Sequence, residues 1–186
     1  MKIRLAAYLQ PDSIVDGEGI RTVIWTQGCP HNCLGCHNPE THSMDGGALV
    51  DLEEVYDIID DLEGQDGITF SGGDPFMQAK ECSLIAKYAR SKGLNIWAYT
   101  GYTYEQLITL SKVKPEIMDF LKEIDILVDG KFVLAEKSLN CIFRGSKNQR
   151  IIDVKKSLKN KKMVVASGYE MKELQSNRKK SEGIYI

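Results

Sequence analysis

At 186 residues the chain suits a single domain of ordinary size, and its 42% hydrophobic and 27% charged residues imply a real core. A formal net charge of −2 speaks against general nucleic-acid binding, and no apolar run approaches the roughly 20 residues of a membrane span. The start, MKIRLAAYLQPDS, has too short an apolar patch for a signal peptide, and five cysteines, an odd number, fit a reducing cytoplasm, where clustered thiols bind metal or do redox work more often than they pair.

In chain order, residues 20–26 (IRTVIWT) are rich in β-branched and aromatic side chains and predict a strand. The stretch TQGCPHNCLGCHNPETH at 26–42 then carries Cys29, Cys33 and Cys36 in a C-x3-C-x2-C spacing. A helix is expected from Asp51. Glu54 stands three residues on, a capping-box pattern, and Val50 and Val55 make a staple. Leu52, Val55, Ile59 and Leu62 form its apolar stripe. Residues 67–71 (GITFS) read as a short strand that ends in Gly72-Gly73-Asp74-Pro75. The next helix carries Cys82, Ile85, Ala86 and Ala89 on one face, with Gly93 placed to end it. Residues 94–100 (LNIWAYT) predict a third strand, and Thr103 with Gln106 a second capping box that opens a helix to about Leu110. A helical piece near 116–122 leads to a fourth strand at 125–129 (DILVD). Residues 132–136 fit no single element; 142–144 and 163–166 fit short strands.

Strands alternating with helices predict an α/β fold with parallel strands and right-handed crossovers, either an open sheet or a partial barrel. In both, the site is built by loops leaving the C-terminal ends of strands. The cysteine loop and the Gly-Gly-Asp-Pro loop both leave strand ends, so they are expected to meet in space. Residues 1–160 read as one domain and 161–186 as a basic, peripheral C-terminal extension. Residues 144–180 hold 12 Lys and Arg against 3 Asp and Glu, which fits a solvated tail or a docking surface for an acidic partner.

Three close thiols suit a structural zinc, an iron–sulfur cluster or a redox exchange. Structural zinc asks for a closed shell of four ligands, usually from paired knuckles; His31, His37 or His42 could be a fourth ligand, but no second pair follows. A thioredoxin-like reading uses Cys33 and Cys36 but leaves Cys29 without a role. A 4Fe–4S cluster normally takes four thiolates, so three leave one iron open to a substrate or cofactor. Cys82 and Cys141 sit in apolar patterns and read as buried small hydrophobes. In the Gly-Gly-Asp-Pro turn, glycines allow close approach of backbone to a ligand, Asp74 offers an acceptor to a cation, and Pro75 suits a first helical turn; an ordinary strand-to-helix corner has the same residues. His31, His37 and His42 are expected to shape the cysteine loop by hydrogen bonding rather than to act as bases.

The cysteine spacing after a strand resembles the signature of the radical S-adenosylmethionine (SAM) enzymes. Within that superfamily the chain is similar to the activating enzymes of glycyl-radical proteins, most closely those of anaerobic (class III) ribonucleoside-triphosphate reductase. The resemblance rests on DGEGIR at 16–21, QGCPHNCLGCHNPE at 27–40, SGGDP at 71–75, DILVDGKF at 125–132 and FRGSKNQRII at 143–152, and spans about residues 14–154. Glu18 departs from the proline common in the family. The resemblance implies a parallel-strand partial (βα) barrel of radical SAM type. Cys29, Cys33 and Cys36 are the implied cluster ligands, and SAM the cofactor on the open iron. It also implies that Gly35, Cys36 and His37 run beside the adenine, and that Gly72, Gly73 and Asp74 receive the methionine amino group. Thr100 is a further candidate for that pocket; Asp129 either faces SAM or a cation, or caps a strand end. The implied reaction is reductive cleavage of SAM to methionine and a 5′-deoxyadenosyl radical, which takes a hydrogen atom from a glycine of the partner reductase subunit. A flavodoxin- or ferredoxin-like protein is the implied electron donor. The rival readings are an activase of pyruvate formate-lyase or another glycyl-radical enzyme, and a zinc-binding adaptor.

Overall fold

The computed structural model describes residues 1–169. Its centre is an eight-stranded sheet. The strands are β1 (Lys2–Leu5), β2 (Gln10–Ser13), β3 (Arg21–Thr26), β4 (Ala48–Asp51), β5 (Gly67–Gly72), β6 (Asn95–Tyr99), β7 (Ile126–Asp129) and β8 (Arg150–Asp153). Their order is β4-β1-β3-β5-β6-β7-β8, with β2 added to β3. The four predicted strands, β3, β5, β6 and β7, pair in parallel and form the middle of the sheet. The fold is therefore mixed α/β. The sheet is not parallel throughout, because β1, β2, β4 and β8 join it antiparallel.

The helices are α1 (Leu52–Asp60), α2 (Ala79–Ser91), α3 (Tyr104–Leu110), α4 (Pro115–Glu123) and α5 (Val154–Asn160). Alternate strand residues face opposite sides of a sheet. Ile24, Ile68, Phe70, Ile96, Ala98, Leu127 and Ile152 pack with the helices in the main core. Phe120 of α4 meets Phe70 edge-on at 5.1 Å and Phe76 at 5.0 Å. The other face carries Trp97, Val128 and Ile151, covered by Phe143, Ala166 and Tyr169. Among the described residues no helix is long and apolar enough to cross a membrane.

Side-chain caps open two of the helices, α3 at Thr103 and α5 at Asp153. Thr103 and Gln106 form the expected capping box, with Gln106 N donating to Thr103 Oγ1 at 3.2 Å and Thr103 N to Gln106 Oε1 at 2.8 Å. Asp51 makes no such cap. It is the last residue of β4, held extended opposite Lys2, and its carboxylate pairs with the Lys2 ammonium at 3.3 Å.

Two expected short strands are absent. Residues 142–144 turn, with Phe143 at φ 55°, and 163–166 contribute only a single bridge, Val165 to Ile152. Leu134–Glu136 is a 3-10 turn. Of the expected C-terminal extension, residues 164–169 lie against β8, where Ala166 N donates to Ile151 O at 2.9 Å. Residues 170–186 lie outside the described residues.

Buried Arg21 clasps the sheet at the opposite end from the cysteine loop and the Gly-Gly-Asp-Pro turn. Its guanidinium donates to Thr69 Oγ1, the Glu18 and Ile68 carbonyls, and Asn95 Oδ1 and O, at 2.6–3.2 Å. Those partners are neutral, so burial pushes its pKa down to about 10.

Candidate metal and cofactor site

The site begins where β3 and β5 end side by side. Thr26 Oγ1 donates to Ser71 O at 3.0 Å, and Gly73 N to Thr26 O at 2.7 Å. Past the strand, Asp74 N donates to Gly28 O at 2.8 Å. The cysteine loop and the Gly-Gly-Asp-Pro turn are thus joined by backbone hydrogen bonds, as their places at adjacent strand ends require.

The cysteine loop is closed at its base. Gly28 N donates to Thr41 O at 2.9 Å and Cys29 N to His42 O at 3.2 Å. Buried Gln27 reaches across with its amide to Glu40 O (3.2 Å) and Ser43 O (2.7 Å). Sequence reasoning did not single out Gln27; its place at the start of the quoted motif was the only signal.

Gly72 and Gly73 are required by this junction. Gly72 has φ +97°, and a Cβ there would lie 2.6 Å from Thr26 O. A Cβ on Gly73 would lie 2.8 Å from Gly28 C and nearer still to its oxygen. The close approach that the sequence reading gave to a ligand is made here to the backbone of Gly28.

One cavity of about 270 Å³ is lined by Cys29, Cys33, Cys36 and His37 on one side and by Gly72, Gly73 and Thr100 on the other. Tyr99, Gly101 and Gly130, at the ends of β6 and β7, add to its wall, as strand-end logic allows. Phe132 and Gly145 close it from the segment after β7. Phe132 lies against the His37 ring at 5.0 Å. Gln149 builds that segment, accepting from Gly145 N and Ser146 N and donating to Gly130 O at 3.0 Å. An outer groove of about 430 Å³ continues the cavity, sharing Asp16, His37, Tyr99 and Gly145 with it.

Three candidates lie off the cavity wall. Gly35, at φ +73°, backs onto Leu134. Asp129 is 1% exposed. Its carboxylate takes Arg150 Nε at 2.9 Å and Tyr104 N, the first residue of α3, at 2.7 Å. Asp74, wholly buried, accepts from Phe76 N at 3.0 Å, Thr100 Oγ1 at 2.8 Å, Gly101 N at 3.0 Å and His31 Nε2 at 2.6 Å.

Cys29, Cys33 and Cys36 all line the one cavity. A cluster spreads its thiolates over separate irons, so it needs three thiols on a shared wall. Burial pushes the Cys29 thiol up to about 11, with Asp74 and the other two thiols adding to the rise against a backbone hydrogen bond at His31. Bound iron reverses that, since a coordinating thiol is deprotonated. Asn38 N donates to Cys36 Sγ at 3.4 Å, a contact that suits a thiolate. His42, on the same wall, has a buried Nε2 with no hydrogen-bond partner among the described residues. Cys82 is buried in α2 and Cys141 lies apart from the cavity, on the outer groove.

Residues 15–152 match the model of a 4Fe-4S single cluster domain family. An anaerobic ribonucleoside-triphosphate reductase-activating protein from Haemophilus influenzae is 34% identical over 154 residues, 77% of this chain and 96% of that one. Proteins of the same description from Salmonella typhimurium and Enterobacteria phage T4 are 35% and 33% identical, over 75% and 77% of this chain and 92% and 90% of theirs. Among solved structures, QueE from Escherichia coli aligns with a TM-score of 0.46 at 14% identity, over 55% of this chain and 54% of that one.

Proposed function

This chain belongs to the family of the anaerobic ribonucleoside-triphosphate reductase-activating proteins, and from that we infer that it activates such a reductase by reductive cleavage of SAM, leaving a glycyl radical on the reductase subunit. It is a radical SAM oxidoreductase that carries a 4Fe–4S cluster. When bound, the cluster and SAM supply the one-electron cleavage and the hydrogen-abstracting radical.

The chain's own residues do the holding and shielding. We assign Cys29, Cys33 and Cys36 to the cluster, on a loop whose base is pinned by Gln27. We assign the Gly72–Gly73 backbone to the methionine end of SAM and the Gly35-Cys36-His37 stretch to the adenine side, with Phe132 supporting His37. Thr100 lines the same pocket and orients Asp74 with its hydroxyl. Asp129, its carboxylate taken by Arg150 and Tyr104 N, is assigned to capping α3. We read the sheet as part of a (βα) barrel of radical SAM type, supported by family membership and the four parallel strands. The reductase subunit is the protein substrate, a flavodoxin- or ferredoxin-like protein the electron donor, and the cytoplasm the setting.

The observation that carries this reading is the sharing of one cavity by the three thiols of a single loop and the Gly72–Gly73 turn. The test is to reconstitute the protein without oxygen and add SAM, reductant and an anaerobic ribonucleotide reductase subunit. A glycyl-radical doublet in the electron paramagnetic resonance (EPR) spectrum of that subunit is expected. Zinc in place of iron and acid-labile sulfide overturns the cluster assignment. A radical formed only on pyruvate formate-lyase overturns the partner.

A further inference from the structure

We propose that His31 and Asp74 form a latch that holds the cysteine loop against the Gly-Gly-Asp-Pro turn, so that Asp74 serves SAM by position and not by contact. The inference rests on the function proposed above and adds a positioning residue, His31, inside the cluster loop.

The carboxylate of Asp74 is engaged through both oxygens. A carboxylate oxygen offers about two lone-pair sites; Oδ2 is fully taken by Thr100 Oγ1, Gly101 N and His31 Nε2, and Oδ1 accepts from Phe76 N. The side chain is wholly buried and absent from the cavity wall, whereas its neighbours Gly72 and Gly73 are on it. The four donors come from three places: the turn itself, the end of β6, and the cysteine loop. Asp74 is therefore the junction of the elements that surround the cavity.

His31 is the loop's side of this junction. It lies between Cys29 and Cys33, and its side chain is 6% exposed. Among the described residues, its bond to Asp74 is the only hydrogen bond that ties residues 30–36 to a distant part of the chain. The ring is seated edge-on against Tyr102 at 4.5 Å. It also rests on Gly101, where a Cβ would come within 2.6 Å of its Cγ. Thr100 completes the seat: its hydroxyl donates to Asp74 and accepts from Tyr102 N at 3.1 Å. A buried, charge-assisted bond of 2.6 Å belongs to the strong class of hydrogen bonds. It fixes where the loop's thiols sit relative to the turn.

The test compares His31→Phe, His31→Gln, Asp74→Asn and the double variant His31→Phe/Asp74→Asn in the reconstituted protein. Two quantities are read: the rate of iron release to a chelator, which needs no SAM, and SAM affinity by equilibrium dialysis. His31→Phe and Asp74→Asn are each expected to start with a full iron complement, release iron faster and bind SAM about 10- to 100-fold more weakly. The double variant should be no worse than the worse single one, and His31→Gln, which keeps a donor, should recover part of the loss. Release and affinity unchanged in His31→Phe overturn the latch. So does a double variant whose two losses multiply, because Asp74 then acts on SAM independently of His31. A wild-type protein that holds its cluster but binds no SAM instead refutes the proposed function, and the iron-release comparison still decides the latch.

Discussion

Single atoms decide the roles of the residues around the cavity. A Cβ on Gly73 meets the backbone of Gly28, one residue before Cys29. Gly73→Val is therefore expected to cost about 1–3 kcal/mol by overpacking and to lower iron loading with it, since Gly28 must shift. Thermal unfolding of the apoprotein and an iron assay of the reconstituted one check this; normal values in both show that Gly28 yields freely. The cysteines divide by environment. Ala at Cys29, Cys33 or Cys36 is expected to lose iron and sulfide. Cys82→Ala should keep iron and cost about 1 kcal/mol of stability, because Cys82 is buried in the α2 face and burial raises its thiol pKa well above the ordinary value. A Cys82→Ala protein without iron contradicts this division. The thiol spacing was legible in the sequence because the three cysteines stand within eight residues. The destination of the Asp74 carboxylate was not, because its partners His31 and Thr100 lie 43 and 26 positions away.

Elements are joined here by charged side chains at their ends. Asp125, just before β7, accepts from Arg90 of α2 at 2.9 Å and from Ile96 N of β6 at 2.8 Å, and pairs with Lys155 of α5 at 2.5 Å. Burial alone would raise its pKa, but the hydrogen bonds from Lys155, Ile96 N and Arg90 outweigh burial and hold it below the ordinary carboxylate value. A carboxyl with a lowered folded-state pKa stabilises the protein above its unfolded value, near 4, and the gain is lost as pH falls through the lowered one. Asp125→Asn is thus expected to be less stable than wild type at pH 7, by about 1–3 kcal/mol. It should also show a shallower loss of stability below about pH 4. Urea unfolding between pH 7 and 2 reads both; parallel pH profiles for the two proteins contradict the assignment. The long helices were legible from their apolar spacing, and α3 from its capping box. The start of α1 was read in the right place, with Asp51 at the N-cap, but the capping hydrogen bond is not made, because pairing of β4 with β1 holds the residue in the sheet.

Across the whole molecule one core links the sheet to the site. Phe120 of α4 packs on Phe70 of β5 and on Phe76, two residues beyond Asp74. Phe120→Ala is expected to cost about 3–5 kcal/mol. Unfolding should remain a single transition, since the core residues run from β1 to α5 in one cluster. Calorimetry checks both, and a second, separate transition would mean that the strands fold apart. The sequence by itself determined the chemistry and the middle of the fold. Cysteine spacing is local, and buried strands and amphipathic helices write their periods directly into the chain. Only the tertiary structure decided the sheet's edges and the wiring of the site. Edge strands such as β2, with Gln10, Pro11 and Asp12 exposed, carry no apolar alternation and exist because a neighbour offers hydrogen bonds. A buried carboxylate is likewise silent in sequence, because what it does is set by whichever donors the fold brings to it.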